Sequence, residues 1–310
     1  MIEVKNLGKT FKKKVAVEDV NMYLEEGESV GLLGPNGAGK STTISMISTL
    51  LPPTKGTVKF NGKDVFKHPK ELRPVLGVVP QEIALYEELS AYENMKFFGK
   101  VYGLTGKELE DKIQETLELV GLKERQKDAV DTYSGGMKRR INIAVALMHD
   151  PKILIMDEPT VGIDPQSRNY ILDMVRKLNR EKGLTILYTS HYMEEVEKLC
   201  DRVYIMDHGQ IIASGTKEEL KSILSNEETV TIQVEELKKE FSDLLSSQQR
   251  INRMMEGENE YNLIVSKGEQ LLGEIFDYAR QTQVKIIGIH VQTPTLEDVF
   301  LHLTGRKLRD

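Results

Sequence analysis

The chain has 310 residues, 39% of them hydrophobic and 29% charged, with a formal net charge of −6, which is typical of one large or two ordinary globular domains. The acidic balance argues against a general nucleic-acid coat and against a polybasic membrane anchor. Because the sequence has neither a run of about eighteen apolar residues nor an apolar signal core at its start, we expect a cytoplasmic protein that does not span a membrane.

Residues 1–220 are predicted to form an α/β domain. Apolar runs at 28–34, 152–158 and 185–191 are typical of buried parallel strands. Each run ends in polar residues or glycine and is followed by helical periodicity. Because ligands of such sheets bind beyond the carboxyl ends of the strands, we expect a site where these three runs end.

The segment 31–43 contains the pattern GxxxxGK[ST] between an apolar strand and a helical stretch. This context indicates a phosphate-binding loop (P-loop) rather than an ordinary glycine-rich turn. Lys40 adds a positive charge near the β- and γ-phosphates, Ser41 is placed to ligate Mg²⁺, and Thr42 can donate to a phosphate oxygen. The residues expected to hold the nucleotide are Gly34, Pro35, Asn36, Gly37, Ala38, Gly39, Lys40, Ser41 and Thr42.

Residues 82–150 are predicted to form a mainly helical subdomain inserted into the α/β domain. Its last helix begins at "YSGG", where Ser134 is expected to be the N-cap and three basic residues follow the glycines. The bare N–H groups at such a helix start attract anions. This helix has an apolar stripe on one face, formed by Met137, Ile141, Ala144, Val145 and Met148.

Two acids, Asp157 and Glu158, end the apolar run at 152–158. Asp157 suits an Mg²⁺ contact beside the P-loop, and Glu158, which points differently, can polarise an attacking water. His191 follows the next apolar strand and can reach a γ-phosphate. Gln81, after "GVVP", has an amide that can contact both Mg²⁺ and water. Each of these residues, taken singly, has an alternative interpretation. The two acids could be an exposed pair at a strand end, the histidine could be structural, and the glutamine could be an ordinary loop residue.

After residue 220 the predicted order is strand, helix, strand, strand, helix, strand, which is the ferredoxin-like pattern of a small α+β domain at 221–310. A last helix is predicted with Thr293 as its N-cap and Pro294 at its first position. The single cysteine, Cys200, cannot form an internal disulfide and lies in an amphipathic helical stretch. We expect a buried thiol rather than a reactive one.

The first 220 residues resemble the ATP-binding cassette (ABC) ATPases, because the P-loop, Gln81, "YSGGM", "LIMDE", "GID" and His191 follow in that family's order and spacing. The resemblance implies a P-loop NTPase fold of the ABC type that binds ATP and Mg²⁺. It also implies the roles of Q-loop residue for Gln81, Walker B aspartate for Asp157, catalytic glutamate for Glu158, switch histidine for His191 and D-loop aspartate for Asp164.

Phe11 matches the family position whose aromatic ring stacks on adenine, and a Phe ring can serve there as well as Tyr. The alternative interpretation is an apolar strand-end residue in the core.

The stretch "YSGGM" resembles the ABC signature, usually LSGGQ, in the form common among drug-export ATPases. The resemblance implies a head-to-tail dimer of identical or different chains. In such a dimer Ser134, Gly135 and Gly136 of one chain contact the γ-phosphate of ATP held by the partner's P-loop. The nucleotide would then join the two chains.

The tail "TPTLEDVFLHLTGRKLRD" resembles ATPases of bacterial ABC-2-type exporters, including the daunorubicin-resistance type and the linearmycin-resistance type. This implies an ATPase subunit on the inner face of the cell membrane that powers export of an antibiotic, drug or lipid-like compound. A separate permease would dock near Gln81. We expect the tail domain to be a stabilising appendage or dimer contact rather than a ligand sensor.

Two alternatives stay open at this stage. A soluble ABC ATPase acting on ribosomes or DNA is disfavoured by the single compact cassette and by the acidic charge, so no nucleic-acid partner is expected. A catalytically inactive binding module is disfavoured because Glu158 and His191 are both present.

Overall fold

The computed structural model describes residues 1–224, 227–266, 271–292 and 295–304. The chain divides into two compact units, Met1–Lys217 and a second that begins at Glu218. Among the described residues, no helix combines the length and the apolarity that crossing a lipid bilayer requires.

The first half of unit 1 contains, besides short 3₁₀ turns, β1 (Ile2–Phe11), β2 (Lys14–Leu24), β3 (Ser29–Leu33), α1 (Lys40–Ile47), β4 (Lys55–Phe60), β5 (Lys63–Asp64), α2 (Pro69–Leu72), β6 (Leu76–Val79), α3 (Ala91–Val101) and α4 (Gly106–Leu119). Its second half contains α5 (Gly135–Leu147), β7 (Ile153–Asp157), α6 (Pro165–Lys182), β8 (Thr185–Ser190), α7 (Met193–Leu199), β9 (Arg202–Asp207) and β10 (Gln210–Thr216).

The central sheet has the order β10-β9-β3-β8-β7-β6, with parallel pairing from β9 to β6 and an antiparallel edge strand β10. Every residue of β3, β7 and β8 is buried, as expected for parallel strands covered on both faces. Their register pairs Leu33 with Ser190 and Asp157 with Thr189. The residues that follow these strands therefore emerge side by side.

A second, antiparallel sheet of order β2-β1-β4-β5 packs through its apolar face on the central sheet. One hydrophobic cluster joins Val4, Val20 and Val58 of this sheet to Val30 and Ile155 of the central strands. Full burial of each such side chain contributes about 1.5–3 kcal/mol. This packing holds the end of β1, and hence Phe11, beside the P-loop.

The region 82–150 is mainly helical, with α3, α4 and α5 packed together. Ser90 forms a capping box with Glu93 at the start of α3. The apolar stripe predicted for α5 is buried from Ile141 to Met148, and the other residues of 141–148 are buried as well. This part of α5 packs among β6, α3, α4 and α6, which explains why its burial is not limited to one face.

At the unit boundary lies α8 (Lys217–Lys221), and unit 2 continues with β11 (Glu227–Val234), α9 (Lys239–Ser247), β12 (Ile251–Glu256), β13 (Glu260–Ser266), α10 (Leu272–Gln281), β14 (Ile286–Gln292) and α11 (Leu296–Thr304). Its sheet has the order β12-β13-β11-β14 with antiparallel neighbours, which confirms the ferredoxin-like pattern. The aromatic rings of Phe241 and Tyr261 meet edge to face in its core.

The last helix begins two residues later than predicted. Thr293 and Pro294 lie outside the described residues, and α11 begins at Leu296. The Asp298 N–H donates to Thr295 Oγ1 at 3.2 Å, while the Thr295 N–H donates to the Asp298 carboxylate at 2.8 Å. Thr295 is therefore the N-cap, because its hydroxyl reaches the third helical residue.

Candidate active site

A cavity of about 550 Å³ lies where β3 ends and α1 begins. Predicted site residues that line it are Phe11, Asn36, Gly37, Gly39, Lys40, Ser41, Thr42, Gln81 and Glu158. The cavity is also lined by residues that were not predicted, namely Lys14, Val15, Ala16, His208 and Gly209. They follow strand ends or turns that carry no motif, so only the fold brings them to this cavity.

The P-loop glycines are required by close packing and by backbone conformation. A Cβ at Gly34 would overlap the Met206 carbonyl oxygen, and one at Gly39 would lie 2.7 Å from the Ala16 carbonyl oxygen. Gly37 has φ +81° and open space around it, so glycine is favoured there by the left-handed backbone alone. Pro35 and Ala38 complete the turn, in which the Ala38 N–H donates to the Pro35 carbonyl.

The Lys40 ammonium is buried and has three partners. Its Nζ donates to the Gly34 and Pro35 carbonyls at 2.8 and 3.2 Å and lies 3.0 Å from Glu158 Oε1. The other carboxylate oxygen of Glu158 lies 3.2 Å from His191 Nδ1. The structure thus brings three of the predicted catalytic side chains into one chain of contacts.

Glu158 holds a left-handed backbone conformation with φ +46°, which is unfavourable for a non-glycine residue. Its N–H donates to Thr189 Oγ1 at 2.9 Å, and that hydroxyl donates to Asp157 Oδ1 at 2.8 Å. Thr189 therefore orients both acids. Thr189 was not predicted as a site residue, although a polar residue near the end of an apolar strand is a usable signal.

Ser41, Gln81 and Asp157 carry the hydroxyl, amide and carboxylate oxygens that Mg²⁺ prefers. Ser41 and Gln81 line the cavity, and Asp157 is 8% exposed beside Glu158. Within the described ranges, no group of three or more His, Cys, Asp or Glu side chains could hold a metal ion. This set therefore fits Mg²⁺ that also binds phosphate oxygens, rather than an ion caged by the protein alone.

Phe11 does not belong to the core, because its side chain is 45% exposed and lines the cavity. The core interpretation is therefore wrong. The Lys9 ammonium lies 5.3 Å from the ring centroid on the same strand. The exposed ring is available for stacking on a planar group.

The signature residues lie against the start of α6 and do not line the P-loop cavity. Ser134 caps α5 as predicted, since its Oγ accepts from the Met137 N–H at 3.3 Å. A Cβ at Gly136 would overlap Ser167, and the nearest atoms to one at Gly135 are 4.0 Å away. Asp164 caps α6 by accepting a hydrogen bond from the Ser167 N–H, and this bond lowers the pKa of the Asp164 carboxyl.

The three basic residues that follow the signature hold neighbouring segments. Lys138 pairs with Glu87 at 2.6 Å. The Arg139 Nη1 donates to the Pro80 carbonyl, directly before Gln81, and the Arg140 Nη1 donates to the Val120 carbonyl, each at 3.0 Å. These side chains therefore tie α5 to the Gln81 loop and to the end of α4, a role that spacing in the sequence does not indicate.

Cys200 is buried, which confirms the prediction of a buried thiol. Burial raises the pKa of the Cys200 thiol to about 12. Helix α7 packs directly on β3, since a Cβ at Gly31 would lie 2.5 Å from Val196 Cγ1 and 3.3 Å from Cys200 Sγ.

Two family descriptions match the chain. Residues 17–161 match the family described as ABC transporter, and residues 215–304 match the C-terminal domain of the family described as ATP-binding protein DrrA1-3-like.

Individual proteins match over most or all of the chain. The linearmycin resistance ATP-binding protein LnrL of Bacillus subtilis (strain 168) is 49% identical over 312 residues, with 100% of both chains covered. The daunorubicin/doxorubicin resistance ATP-binding protein DrrA of Streptomyces peucetius is 34% identical over 311 residues, with 100% of this chain and 94% of that one covered. The solved dimer of the ATP-binding cassette MJ0796 in a post-hydrolysis state with ADP and Pi has a TM-score of 0.64 at 28% identity, over 70% of this chain and 98% of that one.

The resemblance that the motifs indicated is thus confirmed by full-length similarity and by fold. Together, the P-loop cavity and these similarities show that the chain is an ATPase of the ATP-binding cassette family with a DrrA1-3-like C-terminal domain.

Proposed function

We propose that this ATPase powers export of an antibiotic, drug or lipid-like compound through a separate ABC-2-type permease. The proposal depends chiefly on the 49% identity, over the whole of both chains, to a linearmycin resistance protein. The buried contacts of Glu158 with Lys40 and His191 support an active enzyme rather than an inactive binding module. The proposed location is the cytoplasmic face of the cell membrane.

The cavity supports an assignment for each part of the nucleotide. Phe11 stacks on the adenine ring, and the P-loop N–H groups surround the phosphates. Lys40 binds the β- and γ-phosphates with the ammonium that now contacts Glu158. A phosphate at Lys40 competes with that carboxylate, so binding of ATP frees Glu158 for catalysis.

Ser41, Gln81 and Asp157 would hold Mg²⁺, which supplies charge neutralisation to the phosphate oxygens. Glu158 orients the attacking water, and His191 contacts the γ-phosphate while it holds the Glu158 carboxylate at 3.2 Å. Glu158 contacts Lys40 and His191, whereas Asp157 accepts from Thr189, so the two acids have separate partners that suit separate roles.

A second nucleotide contact comes from a partner chain in a head-to-tail dimer. Ser134, Gly135 and Gly136 lie at the N-terminus of α5, and N–H groups at a helix start favour binding of an anion. Because none of them lines this chain's own P-loop cavity, the anion they would meet is the γ-phosphate of the partner's ATP. Asp164 lies beside them at the start of α6.

An exposed apolar patch, defined by Tyr86, Leu89 and Phe97, supports docking of the permease. Tyr86 and Phe97 are 47% and 43% exposed, with their rings edge to face at 5.1 Å. The loop between Gln81 and this patch is held by Asn142, whose Oδ1 accepts from the Ala84 N–H at 3.2 Å. This hydrogen bond fixes the loop that connects Gln81 to the patch against α5.

The role of Glu158 is tested by Glu158→Gln, which keeps the shape of the side chain but removes the base. We expect loss of ATP turnover and accumulation of an ATP-dependent dimer, measured by phosphate release and by light scattering. Turnover at the wild-type rate would refute the catalytic assignment.

The transport role is tested by recovering tagged Glu158→Gln protein with ATP from detergent-solubilised membranes of the native host. We expect a multi-spanning permease to be recovered, and to be lost in a Tyr86→Ala, Phe97→Ala variant. The matched control is Phe276→Ala, which removes a 51% exposed aromatic ring in unit 2. Recovery of ribosomal or DNA-bound partners without a membrane protein would overturn the exporter proposal and leave the ATPase.

A further inference from the structure

A buried carboxylate on α7 collects three hydroxyl groups. Glu195 is 2% exposed, and its Oε2 accepts from Thr160 Oγ1 at 2.8 Å, Tyr188 OH at 2.9 Å and Ser190 Oγ at 2.8 Å. We call these four residues, with Arg168, the Glu195 cluster. Burying a carboxylate is unfavourable unless it is hydrogen-bonded and paired, so its presence requires a reason.

The second oxygen of this carboxylate faces a cation. Arg168 Nε lies 3.4 Å from Glu195 Oε1, and neither of these buried atoms makes a hydrogen bond. The Arg168 guanidinium also lies 4.5 Å above the ring of Tyr192. Glu195 thus forms an ion pair with Arg168 of α6 and accepts hydrogen bonds from Tyr188 and Ser190 of β8.

The cluster joins the segments that carry the proposed catalytic residues. Thr160 follows Glu158 by two positions, and Ser190 directly precedes His191. Ser190 Oγ also accepts from the Tyr192 N–H at 2.8 Å, which holds the backbone on the far side of His191. Arg168 stands one turn after Asp164, the N-cap of α6.

We propose that Glu195 is a positioning residue that sets the contact between Glu158 and His191 and aligns it with Asp164. The inference rests on the roles proposed above for Glu158 and His191. A carboxylate suits this task because it only accepts hydrogen bonds, so both oxygens can face donors. A buried carboxylate that accepts three hydrogen bonds on one oxygen and faces a cation with the other favours one arrangement of the segments that it joins.

The substitution Glu195→Gln keeps the size of the side chain but turns an NH₂ group toward either the hydroxyls or Arg168. The matched control is Glu194→Gln, an exposed acid on the same helix. For Glu195→Gln we expect a fall in kcat of roughly 10- to 100-fold, as for misplaced catalytic groups, with ATP affinity changed less than about threefold. The control should retain wild-type kcat.

The measurements are steady-state ATP turnover at temperatures well below each melting point, ATP affinity by calorimetry, and thermal unfolding. A second readout is the same substitution in a His191→Ala background, where Glu195→Gln should have little further effect on kcat because it acts through His191. The inference is overturned if the effects of Glu195→Gln and His191→Ala on kcat are fully additive in the double variant. It is also overturned if Glu195→Gln alone has a kcat within twofold of wild type.

Two further variants keep these outcomes distinct. If Glu195→Gln does not fold, Ser190→Ala, which removes one hydroxyl, should still lower kcat more than KM, and an unchanged kcat refutes the inference. Glu158→Gln is run in the same assay. If it turns over normally, the proposed catalytic role fails; if it is inactive while Glu195→Gln is normal, only the positioning role fails.

Discussion

Two adjacent glycines in the signature are predicted to differ in how much stability each loses on substitution by alanine. A Cβ at Gly136 would overlap Ser167 Oγ and Cβ and lie 3.4 Å from Asp164 Oδ2, whereas one at Gly135 would meet nothing closer than 4.0 Å. Both residues lie in α5, and neither has a positive φ, so alanine fits the backbone at both positions.

Overpacking at Gly136→Ala should destabilise unit 1 by about 1–3 kcal/mol. For a unit of this size, that lowers the melting temperature by roughly 2–12 °C. Gly135→Ala should change stability by less than about 0.5 kcal/mol. It should nevertheless lower ATP turnover if Gly135 faces the partner's nucleotide.

Thermal unfolding followed by circular dichroism measures the stability difference between the two variants. The double variant Gly136→Ala, Ser167→Gly removes both overlapping atoms of Ser167 and should recover part of the lost melting temperature, beyond the sum of the single effects. Equal melting temperatures for the two alanine variants would refute the packing of the signature on α6.

Lys40→Ala removes a charged donor, which is worth about 1.5–3 kcal/mol, so ATP affinity measured by calorimetry should fall at least about tenfold; unchanged affinity would contradict the phosphate role. Cys200, buried with its pKa raised to about 12, should react with a thiol reagent at pH 7.5 only after unfolding in urea, and rapid labelling of the folded protein would argue against its burial. Thr189→Val should lower both stability, by about 1–3 kcal/mol, and kcat, because Asp157 and the Glu158 N–H lose their shared hydroxyl. Wild-type values of both quantities would exclude that role.

The parts of the fold that were predictable depend on local patterns. Strands β3, β7 and β8 are continuous apolar runs because both faces of the central sheet are covered. The P-loop follows β3, and its glycines occupy positions where backbone contacts or a left-handed conformation exclude a side chain. Ser134 is the N-cap of α5 because its hydroxyl reaches the Met137 N–H.

The predictions that were wrong involve surroundings that the sequence does not display. Periodicity predicted the apolar stripe of α5, but it did not indicate that the other residues at 141–148 are buried too, because the elements that cover them are distant in sequence. The last helix begins after Thr295 rather than at Pro294, because the capping box with Asp298 lies there. The core alternative for Phe11 failed because the ring lies over a cavity, which only the packed sheets define.

The sequence by itself determined the kinds of chemistry available, since P-loop, acid pair and strand ends are properties of short segments. Only the tertiary structure decided which side chains meet. Glu158 lies between Lys40 and His191. Glu195 accepts hydrogen bonds from Thr160 and Ser190, which are close in the chain to Glu158 and His191 respectively. These contacts join residues far apart in the chain. Hydrogen bonds and desolvation depend on distance in space, so the packing of strands β3, β7 and β8, rather than any local pattern, sets the geometry of the site.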